Sequence, residues 1–185
     1  MRPHRLPLCV LVVLAALFAL SAAGRIGPGD KFEAFSLKKR GGGTVHYPED
    51  FRGKVVFVDF WASWCPECKV ELPELAKLDK KYTGKPFALL AVNVDESRKA
   101  AEKFLERYPV DLTVLFDTTQ KLIQEVDPVG MPASFLVGPD GVVQKRYIGF
   151  QDGYVETYQT DIEALLATMS RKESSTKEPA KTSTK

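Results

Sequence analysis

The run Val55-Val56-Phe57-Val58-Asp59-Phe60-Trp61-Ala62-Ser63-Trp64-Cys65-Pro66-Glu67-Cys68-Lys69 decides how this chain folds. Its first seven residues are apolar except for Asp59 and lack the polar alternation of a half-exposed strand, which marks a central strand covered on both faces. From Pro66 to Tyr82 the pattern changes. Val70, Leu72, Leu75, Ala76 and Leu78 recur near helical spacing, with Lys and Glu between them. The two cysteines therefore fall at a strand-to-helix turn. A thiol placed there meets the positive end of the helix macrodipole and free N–H groups, which favour the thiolate, the form that attacks disulfides. Pro73 lies inside the helical pattern, where it removes one backbone hydrogen bond and predicts a kink near Lys69.

Outward from this run, strands and helices alternate. On the C-terminal side, Phe87 to Val94 reads as a buried strand, Ser97 to Tyr108 as a helix with Ser97 as N-cap, and Leu112 to Phe116 as a strand. Thr118 or Thr119 is expected to cap a short helix ending at Val126. Ala133 to Val137 and Val142 to Ile148 flank Gly138-Pro139-Asp140-Gly141, whose Asp-Gly pair signals a hairpin. A last helix is expected from about Asp152 to Met169. On the N-terminal side, Phe32 to Leu37 alternates as a short strand, Gly41-Gly42-Gly43 turns, and Val45 to Tyr47 returns. The sum is an α/β domain with one mixed sheet flanked by helices.

The ends of the chain read differently. Met1 to Arg5 carry two arginines, Leu6 to Leu20 are almost wholly apolar, and Ser21-Ala22-Ala23 offers small residues at a cleavage site. Residues 1–23 are thus expected to be a secretory signal. An uncleaved membrane anchor is the alternative, because the apolar run is close to the roughly 20 residues that span a bilayer. The domain proper is placed at 24–169, and 170–185, rich in Lys, Ser, Thr and Glu, is expected to be a solvated, disordered tail. The 26 basic residues include Arg2 and Arg5 of the leader and face 24 acidic ones, so the exported part is neutral. That balance argues against a nucleic-acid footprint and against a polybasic membrane patch. Cys9 lies in the leader. Cys65 and Cys68 remain, in a compartment where disulfides persist.

Three uses compete for that pair. A structural zinc site takes four ligands, and outside the leader only His46 joins the cysteines. A purely structural bridge across so short a loop constrains the unfolded chain little. Cuprous ion suits two sulfurs, with Met131 as a third soft ligand. Redox exchange is favoured by the two-residue spacing and the strand-turn-helix setting.

Trp64-Cys65-Pro66-Glu67-Cys68, preceded by Val58-Asp59-Phe60-Trp61-Ala62-Ser63 and followed at a distance by Met131-Pro132, resembles the thioredoxin superfamily, and more closely the exported TlpA/ResA-type thiol-disulfide oxidoreductases. The likeness covers about Gly29 to Ala167. Phe35-Ser36-Leu37 to Phe51-Arg52-Gly53-Lys54 is similar to that branch's N-terminal hairpin, Ser97 to Phe116 to its central βα insertion, and Glu71-Leu72-Pro73 to its Cys-x-x-Cys-x-x-Glu-x-Pro pattern. Met131 stands where Thr or Ile is common, which points to a different partner preference.

The resemblance implies a thioredoxin fold and a division of labour. Cys65, the more exposed thiol, would attack a substrate disulfide, and Cys68 would resolve the mixed disulfide. Proton transfers at Cys68 call for a carboxyl of raised pKa, and Asp59 and Glu71 are the candidates. An acid within an apolar central strand is costly unless paired or neutralised, so Asp59 asks for an explanation; it is similar to the family's buried aspartate, and a local structural hydrogen bond is the plain alternative. For Glu71 the plain alternative is an ordinary acid on a helix surface. Pro132 is similar to the family's cis-proline, and Met131 beside it would pair with an extended substrate segment. Trp64 and Pro66 would form the docking rim.

No bound cofactor is implied, the redox group being the Cys65–Cys68 disulfide itself. The expected function is reduction of disulfides in exported, periplasmic or otherwise extracytoplasmic partner proteins, as in cytochrome c maturation or copper-site assembly, with re-reduction by an upstream membrane thiol donor. A disulfide oxidase or isomerase and a copper-handling module are the alternatives. Glu67, by adding negative charge near Cys65, disfavours its thiolate and argues against a strong oxidant.

Overall fold

The computed structural model describes residues 26–177. A run of buried β-branched and aromatic residues favours extended backbone over helix, and Val55–Trp61 forms strand β3 with all seven residues buried. On one side β3 pairs in parallel with β4 (Phe87–Asn93), and on the other it is antiparallel to β6 (Ala133–Val137). Around this centre lie β1 (Phe35–Lys39), β2 (Thr44–Tyr47), β5 (Thr113–Phe116) and β7 (Val143–Ile148). They make one mixed seven-stranded sheet in the order β2-β1-β5-β4-β3-β6-β7. The N-terminal hairpin β1–β2 joins the sheet through antiparallel pairing of β1 with β5.

The described residues also form a 3-10 turn at Glu49–Phe51 and four α-helices: α1 (Pro66–Lys81), α2 (Arg98–Arg107), α3 (Lys121–Val126) and α4 (Tyr154–Lys177). Helices α1 and α2 are the crossovers that carry the chain from β3 to β4 and from β4 to β5, which parallel pairing requires. The strand period of two sorts the core. Val55 and Phe57 of β3 pack with Leu75 and Leu78 of α1 and with Tyr158 and Ile162 of α4, whereas Val56, Val58 and Phe60 belong to a second cluster with Leu122 and Val126 of α3. Asp59 shares the parity of Val55 and Phe57 and so faces the side of α1 and α4.

Several expectations need correction. The first strand runs from Phe35 to Lys39, later than expected, because Phe32 packs into an aromatic cluster with Tyr47, Phe60 and Phe135 while Lys31 makes an isolated bridge to Val142. Neither Thr118 nor Thr119 caps α3. Gln120 takes the N-cap position in a left-handed conformation (φ 56°), and the Asp117 carboxylate accepts the Ile123 N–H at 2.9 Å instead. Ser97 occupies the N-cap of α2 but its hydroxyl makes no capping bond. The helix expected from Pro66 to Tyr82 does form, as α1, with Pro73 inside it. Helix α4 passes the expected end at Met169 and continues to Lys177, so the first residues of the expected tail are helical. Residues 178–185 and the predicted leader lie outside the described part. Among the described residues, no helix is long and apolar enough to cross a membrane.

Candidate active site

Helix α1 begins at the dithiol for local reasons. Pro66 at the first helical position has a preset φ and lacks only an N–H that would be unpaired there anyway. Cys65 at the N-cap is extended (φ −90°, ψ 113°), and its Sγ accepts the Cys68 N–H at 3.2 Å. The helix N-terminus thereby places one of its unpaired donors on that sulfur. Cys65 and Cys68 are joined as a disulfide, with Cα atoms 5.4 Å apart. Both are buried, Cys65 at 3% exposure and Cys68 at 0%. Beside them Trp64 stands out at 64% exposure, and Pro66 and Glu67 are exposed too.

The loop leading to Cys65 is tied down by residues that sequence reasoning did not single out. Asp95, buried just past β4, accepts the Ser63 N–H and the Ser63 hydroxyl, both at 2.9 Å. It also accepts the Asn93 side-chain amide at 2.7 Å, and the Val94 N–H bonds the Trp61 carbonyl. The only hint in the sequence was a pair of polar residues where β4 ends. Asp95→Ala leaves the part-buried Ser63 donors and the buried Asn93 amide without this acceptor and is expected to destabilise the protein by about 1 to 3 kcal/mol, read as a lower urea midpoint. Asp95→Asn, which still accepts, should cost less.

Beneath the dithiol lies a pair of buried acids. Asp59 and Glu71 are both fully buried, the latter three residues after Cys68 on the same face of α1. Glu71 is therefore not a surface acid. Ser134, paired with Asp59 across β3 and β6, donates to Asp59 Oδ1 at 2.9 Å and lies 3.5 Å from Glu71 Oε1. Tyr158 of α4 donates to Glu71 Oε1 at 2.8 Å. Among the described residues Asp59 Oδ2 and Glu71 Oε2 find no hydrogen-bond partner. Burial raises the Asp59 pKa to about 7, against the lowering effect of the Ser134 bond. Burial, and next the charge of Asp59, raise the Glu71 pKa to about 9. Two neighbouring carboxyls in an apolar setting do not ionise together, so the pair holds a proton around neutral pH. Tyr158 is pushed up as well, by burial and then by Glu71, and stays a donor. Ser134 left a signal in the sequence as the one polar residue of β6, whereas Tyr158 left none beyond its place on an amphipathic helix.

The remaining predicted residues lie at the end of β6. The Met131–Pro132 peptide bond is cis, as is Tyr47–Pro48, which the sequence did not announce. Ala133 pairs with Phe60, so the cis bond adjoins the end of β3 from which the Cys65 loop departs. Met131 is half-buried. The Pro132 carbonyl accepts the Gly149 N–H at 2.8 Å. Trp61 is buried and packs on Phe104 of α2 at a ring distance of 5.3 Å. No group of three or more His, Cys, Asp or Glu side chains able to hold a metal occurs among the described residues.

Residues 27–163 match the Redoxin family. Over 124 residues the chain is 34% identical to the thiol-disulfide oxidoreductase ResA of Bacillus subtilis, which covers 67% of this chain and 69% of ResA. The ResA protein of Bacillus cereus is also 34% identical, over 58% of this chain and 65% of its own length. Among solved structures, a Chlorobium tepidum chain assigned as the thiol:disulfide interchange protein DsbE superposes with a TM-score of 0.72 at 36% identity, covering 77% of this chain and 99% of its own. StoA of Bacillus subtilis superposes at 0.61 and 25% identity, over 72% of this chain and 98% of its own. Agreement over these lengths, with the sheet, the helix-capping dithiol and the cis X-Pro bond in place, puts the chain in the Redoxin family, on its thioredoxin-fold, ResA-like branch.

Proposed function

We propose that this protein is an exported thiol-disulfide oxidoreductase that reduces disulfides in partner proteins. The observation that carries the reading is the stack of groups on one face of α1: Cys65 at the N-cap, Cys68 one turn in, and Glu71 one turn further, against Asp59. In the reduced protein the Cys65 thiolate attacks one sulfur of a substrate disulfide. That bond breaks, a mixed disulfide forms, and the leaving thiolate takes a proton. Cys68 then loses its proton to the Asp59–Glu71 pair and attacks the Cys65 sulfur. The second substrate thiolate departs and is protonated. Two electrons pass to the substrate, which leaves as a dithiol, and the protein is left as the Cys65–Cys68 disulfide.

The other assignments follow the same reading. Trp64 and Pro66 form the rim on which the substrate settles, and the Met131 backbone offers an extended substrate segment a place to pair. Among the described residues nothing else bonds that backbone, since the Gly149 N–H goes to Pro132. Disulfide-bearing exported proteins, apocytochrome c and copper-site proteins among them, are the substrate class that the ResA likeness supports. Re-reduction falls to an upstream membrane thiol donor.

Direction is tested by equilibrating the protein in glutathione redox buffers. Glu67 in the first turn of α1 opposes the thiolate and so stabilises the oxidised form. The midpoint is expected below the about −180 mV of protein disulfide isomerase. A value near the about −120 mV of DsbA would make the protein an oxidant and end the reductase reading.

A further inference from the structure

On the α2 side of the dithiol the rim of Cys65, Trp64 and Pro66 opens into a groove of about 530 Å³ whose α2 wall has no role above. Cys65, Trp64 and Lys69 of α1 line it. The opposite wall is a single stripe of α2: Ala100, Lys103, Phe104 and Arg107, spaced as residues that share a helix face. Ala100 is the small residue of this stripe, and Tyr108, just past α2, also lines the groove.

The charge of this groove is one-sided. Lys69, Lys103 and Arg107 line it and no acid does. Among the described residues none of the three pairs with a carboxylate, although the neighbouring cations Arg40 and Arg98 both pair with Glu102. Lys103 and Arg107, four apart on one helix, repel each other with no acid in the groove to offset it. Lys69 Nζ lies 4.5 Å from the centre of the Tyr108 ring and the Arg107 guanidinium 5.5 Å, so the two cations share one aromatic ring. The Tyr108 hydroxyl is accordingly lowered, first by its bond to Lys69. A chain whose exported part is expected to be neutral has gathered, beside its reactive sulfur, three aromatic rings and three cations without a carboxylate partner among the described residues.

We propose that this groove docks an acidic segment of the substrate protein, one whose Asp or Glu residues lie within a few positions of the cysteine that Cys65 attacks. The inference rests on the oxidoreductase reading and names the substrate class for it. Carboxylates of the segment meet Lys69, Lys103 and Arg107, and its apolar side chains lie on Phe104 and Trp64. An acidic flank makes a disulfide intrinsically slower to reduce, because it raises the pKa of the leaving thiol. Any preference for acidic substrates must therefore come from the protein.

The test uses three peptides with the same internal disulfide, flanked by Asp and Glu, by Asn and Gln, or by Lys. Their reduction by the reduced full chain is followed at low and at high salt, each rate being normalised to reduction by dithiothreitol. At low salt the acidic peptide is expected to react about tenfold faster than the neutral one and the basic peptide slowest, the scale of electrostatic steering by a few charges. High salt should compress the series. Lys103→Gln with Arg107→Gln, two changes on the groove wall, should bring the acidic-to-neutral ratio close to one at low salt. Equal rates for acidic and neutral peptides in the wild type, or a ratio unchanged in the double variant, overturns the docking proposal and leaves the oxidoreductase reading standing. Failure to reduce any peptide overturns both.

Discussion

Cys65→Ser is expected to lower disulfide reduction by roughly a thousandfold or more, to the background of bulk thiol exchange, as removal of an enzyme's nucleophile does. Cys68→Ser should behave differently. It keeps the attacking sulfur at the N-cap of α1, together with the Cys68 position's backbone N–H, which bonds that sulfur at 3.2 Å. Attack therefore proceeds and resolution fails, so the variant accumulates a one-to-one mixed disulfide with its substrate. Non-reducing electrophoresis and intact mass report the adduct. The double variant Cys65→Ser/Cys68→Ser should form none.

The asymmetry has a structural cause that the matched burial of the two sulfurs does not cancel. Cys65 lies at the rim beside exposed Trp64 and Pro66 and borders a groove, whereas Cys68 faces the core one turn further along α1. Of the two sulfur-bearing residues only Cys65 lines that groove, so the expected attack is at Cys65. If Cys65→Ser instead trapped adducts through Cys68, the order of attack would be reversed and the roles of the two residues with it.

Much of this is legible in the sequence where local pattern and burial agree. Val55 to Trp61 announces a covered central strand because its residues do not alternate, and the switch of period at Pro66 fixes where the helix starts. The buried face of α1 is less plain. An apolar stripe drawn by residue type includes Val70 and Ala76, yet Val70 is 61% exposed. The buried set is Cys68, Glu71, Leu72, Leu75 and Leu78, whose spacing is the better helical repeat. An acid in that repeat is discounted by any rule that sorts residues by polarity, although its place there is the clue. Tyr158 is out of reach for another reason: it meets Glu71 across 87 residues of chain, and an amphipathic pattern shows which face is buried but not what it meets. Ser134 finds Asp59 only through the register of β6 on β3, which tertiary packing sets.

The buried acids yield a second large effect, in which stability and activity move in opposite directions. Asp59 has an ordinary aspartate value of 3.8 in the unfolded chain and about 7 in the fold. The folded state thus binds more protons between these values, and stability falls as pH rises through them. The stabilisation by the protonated form is fully present below about pH 4 and lost above about pH 7, and Glu71 extends the decline toward about pH 9. Asp59→Asn removes the cost of ionising the site. It should match wild type near pH 4 and exceed it by about 2 to 4 kcal/mol at pH 8, because each pH unit between the unfolded and folded values costs the wild type about 1.4 kcal/mol. Urea unfolding at the two pH values measures this. Tyr158→Phe, which takes a donor from Glu71, should instead destabilise at high pH, where Glu71 is charged. The same Asp59→Asn change is expected to slow resolution by Cys68 about a hundredfold, the usual scale for loss of a positioned base, while leaving attack by Cys65 nearly untouched. An acid kept only for packing would show the gain in stability without the loss in rate. A variant that is more stable at pH 8 and releases substrate from the mixed disulfide more slowly identifies Asp59 as a group held at an energetic cost for proton transfer.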